Sequence, residues 1–353
     1  MRAVGGFRQE FDGSQDYDLL LRISERTDRI HHVPRVLYHW RRSENSSASD
    51  VRQKPGQLEA SWRAIEAHLK RRGEAAHVTV DWRTHAFCVR RQLLEPRKIS
   101  VIIPSSHGPE SLKRCVESLI GKTSYPNYNI VIVQFGERHK VREAGEDFQV
   151  LHFPDATNDS AAKNYAVAQT DSPWILFLDD NVEAIDPDWL TIMAEHVQRP
   201  EVGAVGGRLI NPNGTIEHAG LVLGVNGIAQ SAFHGFPAEH PGVNRQLRMT
   251  RNYSAVSSGC ILIRREVFQK VDGFDKALPR RFADVDLCLK IRRAGYLIVY
   301  TPLAKLIGEA PISETDVIGG ETIIRQRWSD VLERDPYYNP NLSRKRADFS
   351  LGE

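Results

Sequence analysis

Trp174-Ile175-Leu176-Phe177-Leu178 is an unbroken apolar run, and Asp179-Asp180-Asn181 follow it without a spacer. A short continuous apolar segment closed by turn-forming residues reads as a strand buried on both faces, as in a parallel sheet. Ligands of open α/β sheets gather beyond the carboxyl ends of the strands. The three oxygen-bearing side chains therefore stand where a hard divalent cation bridging phosphates would be held. The same residue types also build strand-to-helix turns and N-caps, so these eight residues alone leave both readings open. Outward from them, strand and helix patterns alternate. Ile99 to Pro104 (ISVIIP) is a second buried strand, followed by a helix with Leu112, Val116 and Leu119 on one face. Strands over Ile130–Val133 and Val150–Phe153 and a helix over Ser160–Ala168 complete the approach. Beyond come a helical PDWLTIMAEHV, a strand-like VGAVGGRLI, a turn at Asn211–Gly214, and a closing helix with Ile324, Trp328 and Leu332 on one side. This alternation predicts a doubly wound α/β sheet.

A second acidic motif, Asp284-Val285-Asp286, opens a helical pattern, and the chain contains it twice. Val4 to Ile23 (VGGFRQEFDGSQDYDLLLRI) echoes Val271 to Ile291 (VDGFDKALPRRFADVDLCLKI), each with Gly-Phe, a loop, Asp-x-Asp and an amphipathic helix. IHHVP after the first copy and LIVYTP after the second predict a strand in each. One structural unit occurs twice. Only the second copy is preceded by the alternating pattern, so the first is expected to be the carboxyl-terminal remnant of a similar domain, over residues 1–54. Pro55 to Gly73 reads as a helix with Leu58, Trp62, Ile65 and Leu69 on one face. Residues 55–97 are expected to be a helical linker, 98–312 a complete domain and 313–353 a helix with a tail. Trp62 and Leu69 are expected to seat the orphaned first copy.

The 353 residues carry 47 Lys+Arg against 45 Asp+Glu, a net charge of +2. This is ordinary globular composition, with no broad electrostatic footprint for nucleic acid. The basic clusters KRRGE and RKRAD lack interleaved aromatic residues and read as solvated surface. Cys88, Cys115, Cys260 and Cys288 are scattered, which argues against a disulfide framework or a structural zinc site. No apolar run approaches the ~18–20 residues needed to span a bilayer, and the expected location is cytoplasmic, at most peripheral to the inner face of the membrane.

Taken in order, ISVIIP, NDSAAKNYA (Asn158 to Ala166), ILFLDDNVEAIDPDWL (Ile175 to Leu190), GTIEHAGLVLG (Gly214 to Gly224), SSGCILIRREVF (Ser257 to Phe268), the Asp284 segment and RWSDVLERDPYYNPNL (Arg327 to Leu342) resemble a family 2 glycosyltransferase. The likeness runs almost the full length and extends to the O-antigen, rhamnosyltransferase-like subgroup. It implies the nucleotide-diphospho-sugar transferase (GT-A, Rossmann-like) fold, preceded by a partial copy of the same domain. It further implies inverting transfer of a sugar from a nucleotide-diphosphate donor, UDP- or dTDP-linked, to a hydroxyl of a glycan or lipid-linked acceptor. Carried over by position, Asp284 is the catalytic base, and Asp179, Asp180 and Asn181 hold Mg²⁺ or Mn²⁺ on the diphosphate. Pro104, Ser105, Gln134, Lys163, Asn164, Asp179 and Asp286 bind the substrates.

The chain departs from the family pattern at several of these positions. Gln134 stands for an Asp that hydrogen-bonds the base, Asn181 for the last acid of the metal motif, and Ala283 for a polar residue before the base. Gly308 stands for a His, with Glu309 as the neighbouring candidate ligand, whereas His39 keeps the His in the first copy. An active transferase is one reading. A degenerate pseudo-transferase acting as a scaffold, or a gene fragment, is the other.

Overall fold

Continuous apolar runs become central strands because no face of them is left for water. The computed structural model describes residues 2–39, 55–82, 84–135, 148–154, 158–308 and 320–352. They fall into two compact units, Met1–Gln92 and Leu93–Glu353.

In the first unit, helix α1 (Gln15–Ser24) and helix α2 (Pro55–Arg71) precede a hairpin of β1 (Ala76–Asp81) and β2 (Ala86–Arg91), paired antiparallel. The expected helical linker thus contains a two-stranded ladder. Trp62 and Leu69 belong to the apolar cluster of Ile65, Val78, Phe87 and Val89, so they serve that hairpin. The first Asp-x-Asp copy meets α2 through polar contacts among others. The Ser14 hydroxyl donates to the Gln57 carbonyl at 2.9 Å, and Glu25 pairs with His68 at 2.6 Å and Arg71 at 2.7 Å. The strand expected at IHHVP is not formed, and Ile30, Val33, Val36, Leu37 and Tyr38 are exposed. A strand needs a neighbour for its backbone groups. The second copy finds one in a large sheet, while residues 29–39 pair with no strand among the described residues. His39 is likewise exposed.

The second unit is built on β3 (Ile99–Pro104), α3 (Pro109–Lys122), β4 (Tyr128–Phe135), β5 (Phe148–Phe153), α4 (Asp159–Ala168), β6 (Trp174–Leu178), β7 (Val182–Ala184) and α5 (Trp189–Val197). Then follow β8 (Val202–Ile210), β9 (Ile216–His218), β10 (Leu221–Leu223), β11 (Ala229–Ser231), β12 (Arg251–Tyr253), β13 (Cys260–Arg264), α6 (Arg265–Lys270), α7 (Arg280–Arg293), β14 (Leu297–Gly308) and α8 (Gly320–Glu333). Ten strands form one mixed sheet in the order β12-β14-β8-β13-β6-β3-β4-β5, with β7 on β14 and β9 on β8. β6, β3, β4 and β5 run parallel, and β13 lies antiparallel to β6 with Cys260 opposite Leu178. That register puts the residues before β13 at the carboxyl end of β6.

Side chains of β6 alternate between two cores, as a period of two requires. Ile175 and Phe177 join the core that contains α4 and α7, while Trp174, Leu176 and Leu178 join the core of α3 and α5. Each such fully buried side chain contributes roughly 1.5–3 kcal/mol. The tail belongs to the same body, because Ile324, Trp328, Leu332, Tyr338 and Phe349 lie in the α4/α7 core. Gly224 fixes the tail's approach: its φ is +68°, and a Cβ there would sit 1.9 Å from the Leu332 carbonyl oxygen. Gly224→Ala is expected to cost about 2 kcal/mol or more from the backbone clash and the left-handed conformation together. Urea unfolding measures it, and an unchanged midpoint would mean that the tail yields freely.

The internal echo acquires a physical meaning here. Asp18 and Asp286 are both fully buried, and each pairs with the basic residue four positions on, Arg22 at 2.7 Å and Lys290 at 3.3 Å. That same basic side chain reaches back to the carbonyl of the Gly-Phe glycine in each copy. Arg22 donates to Gly6 and Lys290 to Gly273, both at 2.6 Å. The repeated pattern is a clamp that ties a loop to a helix. Phe274 is 3 % exposed against Phe177 and Phe268, whereas Phe7 is 60 % exposed.

Candidate active site

β6 carries Asp179 and Asp180 to its carboxyl end, and their carboxylates do different work. Asp180 is fully buried and accepts the backbone N–H groups of Ser106 at 2.6 Å and His107 at 2.8 Å. Its other oxygen meets the His107 ring, and its carbonyl accepts the Ser111 hydroxyl at 3.1 Å. Asp180 therefore fastens the loop between β3 and α3. Asp179 points elsewhere: its Oδ2 receives the guanidinium of Arg280, the first residue of α7. Its backbone N–H donates to the Gly259 carbonyl at 3.2 Å, and a Cβ on Gly259 would come 3.0 Å from its Oδ2.

Asp284, one turn into α7, arrives at the same place. Its Oδ2 accepts the Ser258 backbone N–H at 2.8 Å, and its Oδ1 has no hydrogen-bond partner among the described residues. Neighbouring residues Ser258 and Gly259 thus touch the two acidic motifs, which are about a hundred positions apart. Burial pushes the Asp284 carboxyl above the usual carboxylate range, while Lys163, Arg280 and Ser258 offset part of the rise. Lys163, buried on α4, bridges Asp159 at 2.7 Å and the Ser258 hydroxyl at 2.8 Å. Burial alone would raise Asp159 too, but Lys163 and Arg280 override it and hold this acid below its ordinary value.

His218 braces the turn from behind. Its Nε2 accepts the backbone N–H of Ser257 at 3.2 Å and of Gly220 at 3.3 Å, with Nδ1 3.3 Å from the Ser231 hydroxyl. Burial pushes its pKa down to about 3. It is therefore a neutral imidazole, with the proton on Nδ1 because Nε2 accepts.

The other residues singled out by sequence divide into two groups. Pro104 ends β3 opposite Val133, the Ser105 N–H donates to the Val133 carbonyl at 2.9 Å, and Gln134 sits opposite His152 near the ends of β4 and β5. All three are buried at the strand ends. Asn164 and Asp286 are instead occupied away from there. Asn164 donates to the Phe274 carbonyl at 2.8 Å and accepts its N–H at 3.0 Å. Asp286 holds the tail helix, accepting from Arg327 at 2.7 Å and from the Trp328 indole at 2.9 Å.

Gly308, expected as a lost ligand position, lies opposite Val182 in the antiparallel pair of β14 and β7, and a Cβ there would meet the Val182 side chain at 2.7 Å. Glu309 lies outside the described residues. Sequence reading missed Arg280, Asp159, Ser258, His107 and His218. The Asp159–Lys163 spacing of four is a legible helical ion pair. Arg280 has no local signal, because its partner Asp179 is 101 positions away.

A resident divalent ion needs several oxygen ligands. Asp180 is committed to the loop, Asp179 faces a guanidinium, and Asn181 is neutral. Among the described residues no group of three His, Cys, Asp or Glu could hold a metal. These side chains by themselves do not complete a metal's shell, and the donor phosphates and water would have to supply the rest.

Residues 100–272 match the family model described as Glycosyl transferase family 2. Over 99 % of its length the chain is 37 % identical to the protein y4gI of Sinorhizobium fredii and 35 % identical to the O-antigen biosynthesis protein RfbC of Myxococcus xanthus. It spans 41 % and 28 % of those relatives. Among solved structures it is similar to GalNAc-T7 with UDP, GalNAc and Mn²⁺, at a TM-score of 0.54 and 14 % identity, covering 80 % of this chain and 60 % of that one. That likeness is one of fold.

Proposed function

The chain carries a glycosyl transferase family 2 domain on a GT-A fold, and from that premise we propose that it is an inverting transferase acting on a nucleotide-diphosphate sugar. One observation carries the reading: the Asp284 carboxylate is held by the Ser258 N–H through one oxygen while the other has no partner among the described residues, beside the strand end that bears Asp179. A base that must take a proton needs one oxygen fixed and one available. Asp284 removes the acceptor hydroxyl proton as that oxygen attacks the anomeric carbon. The bond from this carbon to the diphosphate oxygen breaks on the opposite side, and the nucleoside diphosphate leaves with a single inversion. Pro104, Ser105 and Gln134 line the nucleotide side in this reading, with a UDP- or dTDP-sugar as donor. The acceptor we propose is a hydroxyl of a polysaccharide or lipid-linked precursor, supported by the likeness to the O-antigen protein. Among the described residues no helix is long and apolar enough to cross a membrane.

The Arg280 contact on Asp179 favours a second reading, a pseudo-transferase that binds donor without turnover. Thermal-shift titration with UDP-, dTDP- and GDP-sugars, followed by nucleoside diphosphate release, tests both. A stabilising shift with slow release to water is expected. Binding with no release, with or without acceptor glycan, would support the pseudo-transferase, and no shift with any donor would remove both readings.

A further inference from the structure

The cations of the site raise a question that the fold does not answer. Arg280 is the first residue of a fourteen-residue helix, Arg281 follows it, and the first turn contains no acidic residue. Positive charge at a helix N-terminus opposes the helix dipole, so helix stability does not account for an arginine there. Its guanidinium nevertheless sits on Asp179 Oδ2, with Nε 3.8 Å from Asp159. Asp159 is already neutralised by Lys163 at 2.7 Å, and Asp180 by the loop N–H groups. Asp284, the remaining carboxylate of the site, is held by the Ser258 N–H and faces the charges of Lys163 and Arg280, and a dication placed on Asp179 Oδ2 would lie against the Arg280 guanidinium.

We propose that Arg280 supplies the positive charge at the donor diphosphate, so that this chain binds a nucleoside diphosphate without a divalent metal. The proposal rests on the transferase reading and deepens it. Arginine suits the role because its planar fork matches phosphate oxygens in pairs and its charge is permanent. Its side chain is 26 % exposed, unlike that of Lys163 at 2 %, so it can meet a ligand at the strand ends while Asp179 orients it from behind. No atom of the reaction changes hands at Arg280: it stabilises the charge that develops on the leaving diphosphate.

Calorimetry with UDP, dTDP and GDP tests the proposal, using the full chain, Arg280→Met and Arg280→Lys, each in EDTA and in Mn²⁺. The wild-type Kd for the nucleotide it prefers is expected to differ less than about twofold between EDTA and Mn²⁺. Loss of a charge-assisted contact weakens binding about 10–100-fold. Arg280→Met is expected to show that loss in EDTA and to recover part of it in Mn²⁺, because Asp179 is released. Arg280→Lys keeps the charge without the fork and should fall between, which covers the case in which the methionine variant fails to fold. Wild-type binding that Mn²⁺ tightens more than about tenfold, or Arg280 variants that bind like wild type in EDTA, would overturn the proposal and leave the transferase reading standing. Absence of binding by all three nucleotides in every condition would overturn both.

Discussion

Asp284→Asn is expected to lower transfer by about 10²–10⁴-fold, the usual worth of a general base, while nucleotide binding stays within about twofold and the folded protein becomes more stable at neutral pH. The two effects have one cause. The amide oxygen still accepts the Ser258 N–H, so the geometry survives, but the group no longer carries a charge that burial disfavours. Folded protein holds the Asp284 proton more tightly than the unfolded chain, whose carboxyl titrates near 3.8. Between that value and the raised one the folded state binds more protons, so stability falls as pH rises through the window. Activity runs the other way, because the base must be ionised, and should rise with pH through the same raised pKa. Urea melts of wild type and variant across pH 4–8, alongside a rate profile, read both. If the variant were less stable at neutral pH, or retained more than about a tenth of the transfer rate, Asp284 would not be a buried base.

Asp286→Ala is expected to cost about 2–4 kcal/mol of unfolding free energy, one of the largest losses a single substitution in this unit should produce. The Trp328 indole N–H, on a side chain 2 % exposed, would lose its acceptor, and Arg327 and Lys290 would lose their buried counter-charge. Those cations are 36 % and 23 % exposed, and their partial solvation keeps the cost below that of a fully buried pair. Asp286→Asn retains an acceptor oxygen for Trp328 and should lose roughly half as much. Urea unfolding checks both, and hydrogen exchange should show α8 opening first. Equal stability of Asp286→Ala and wild type would mean that the clamp contributes nothing to the fold.

Some of the fold and part of the site were legible in the residues alone. Strands such as Ile99–Pro104 and Trp174–Leu178 declare themselves because a run with no polar face must be buried on both sides. The acidic motifs mark chain positions where strands end or helices begin. Even the opposed roles of Asp284 and Asp286 were partly encoded, since residues two apart on a helix point about 200° from each other. Which of the two faces the site, and which faces the tail, depends on what packs against α7. Arg327 and Trp328 lie forty-one and forty-two positions beyond Asp286. The same holds for the neighbours Asp179 and Asp180: on a strand end, one step sends successive side chains to opposite sides, and only the arrival of His107 and Arg280 from distant segments gives each its partner.

The sequence by itself determined the α/β alternation, the strand-end position of Asp179 and the duplication of the Asp-x-Asp helix, because each is written in contiguous residues through period and polarity. The tertiary structure alone decided that Gly308 sits tightly against its strand partner Val182, that residues 29–39 form no strand, and that a guanidinium stands on Asp179. Those outcomes are set by contacts across the fold, where the position of a partner, and not the identity of the residue, decides what a carboxylate, a glycine or an apolar run can do.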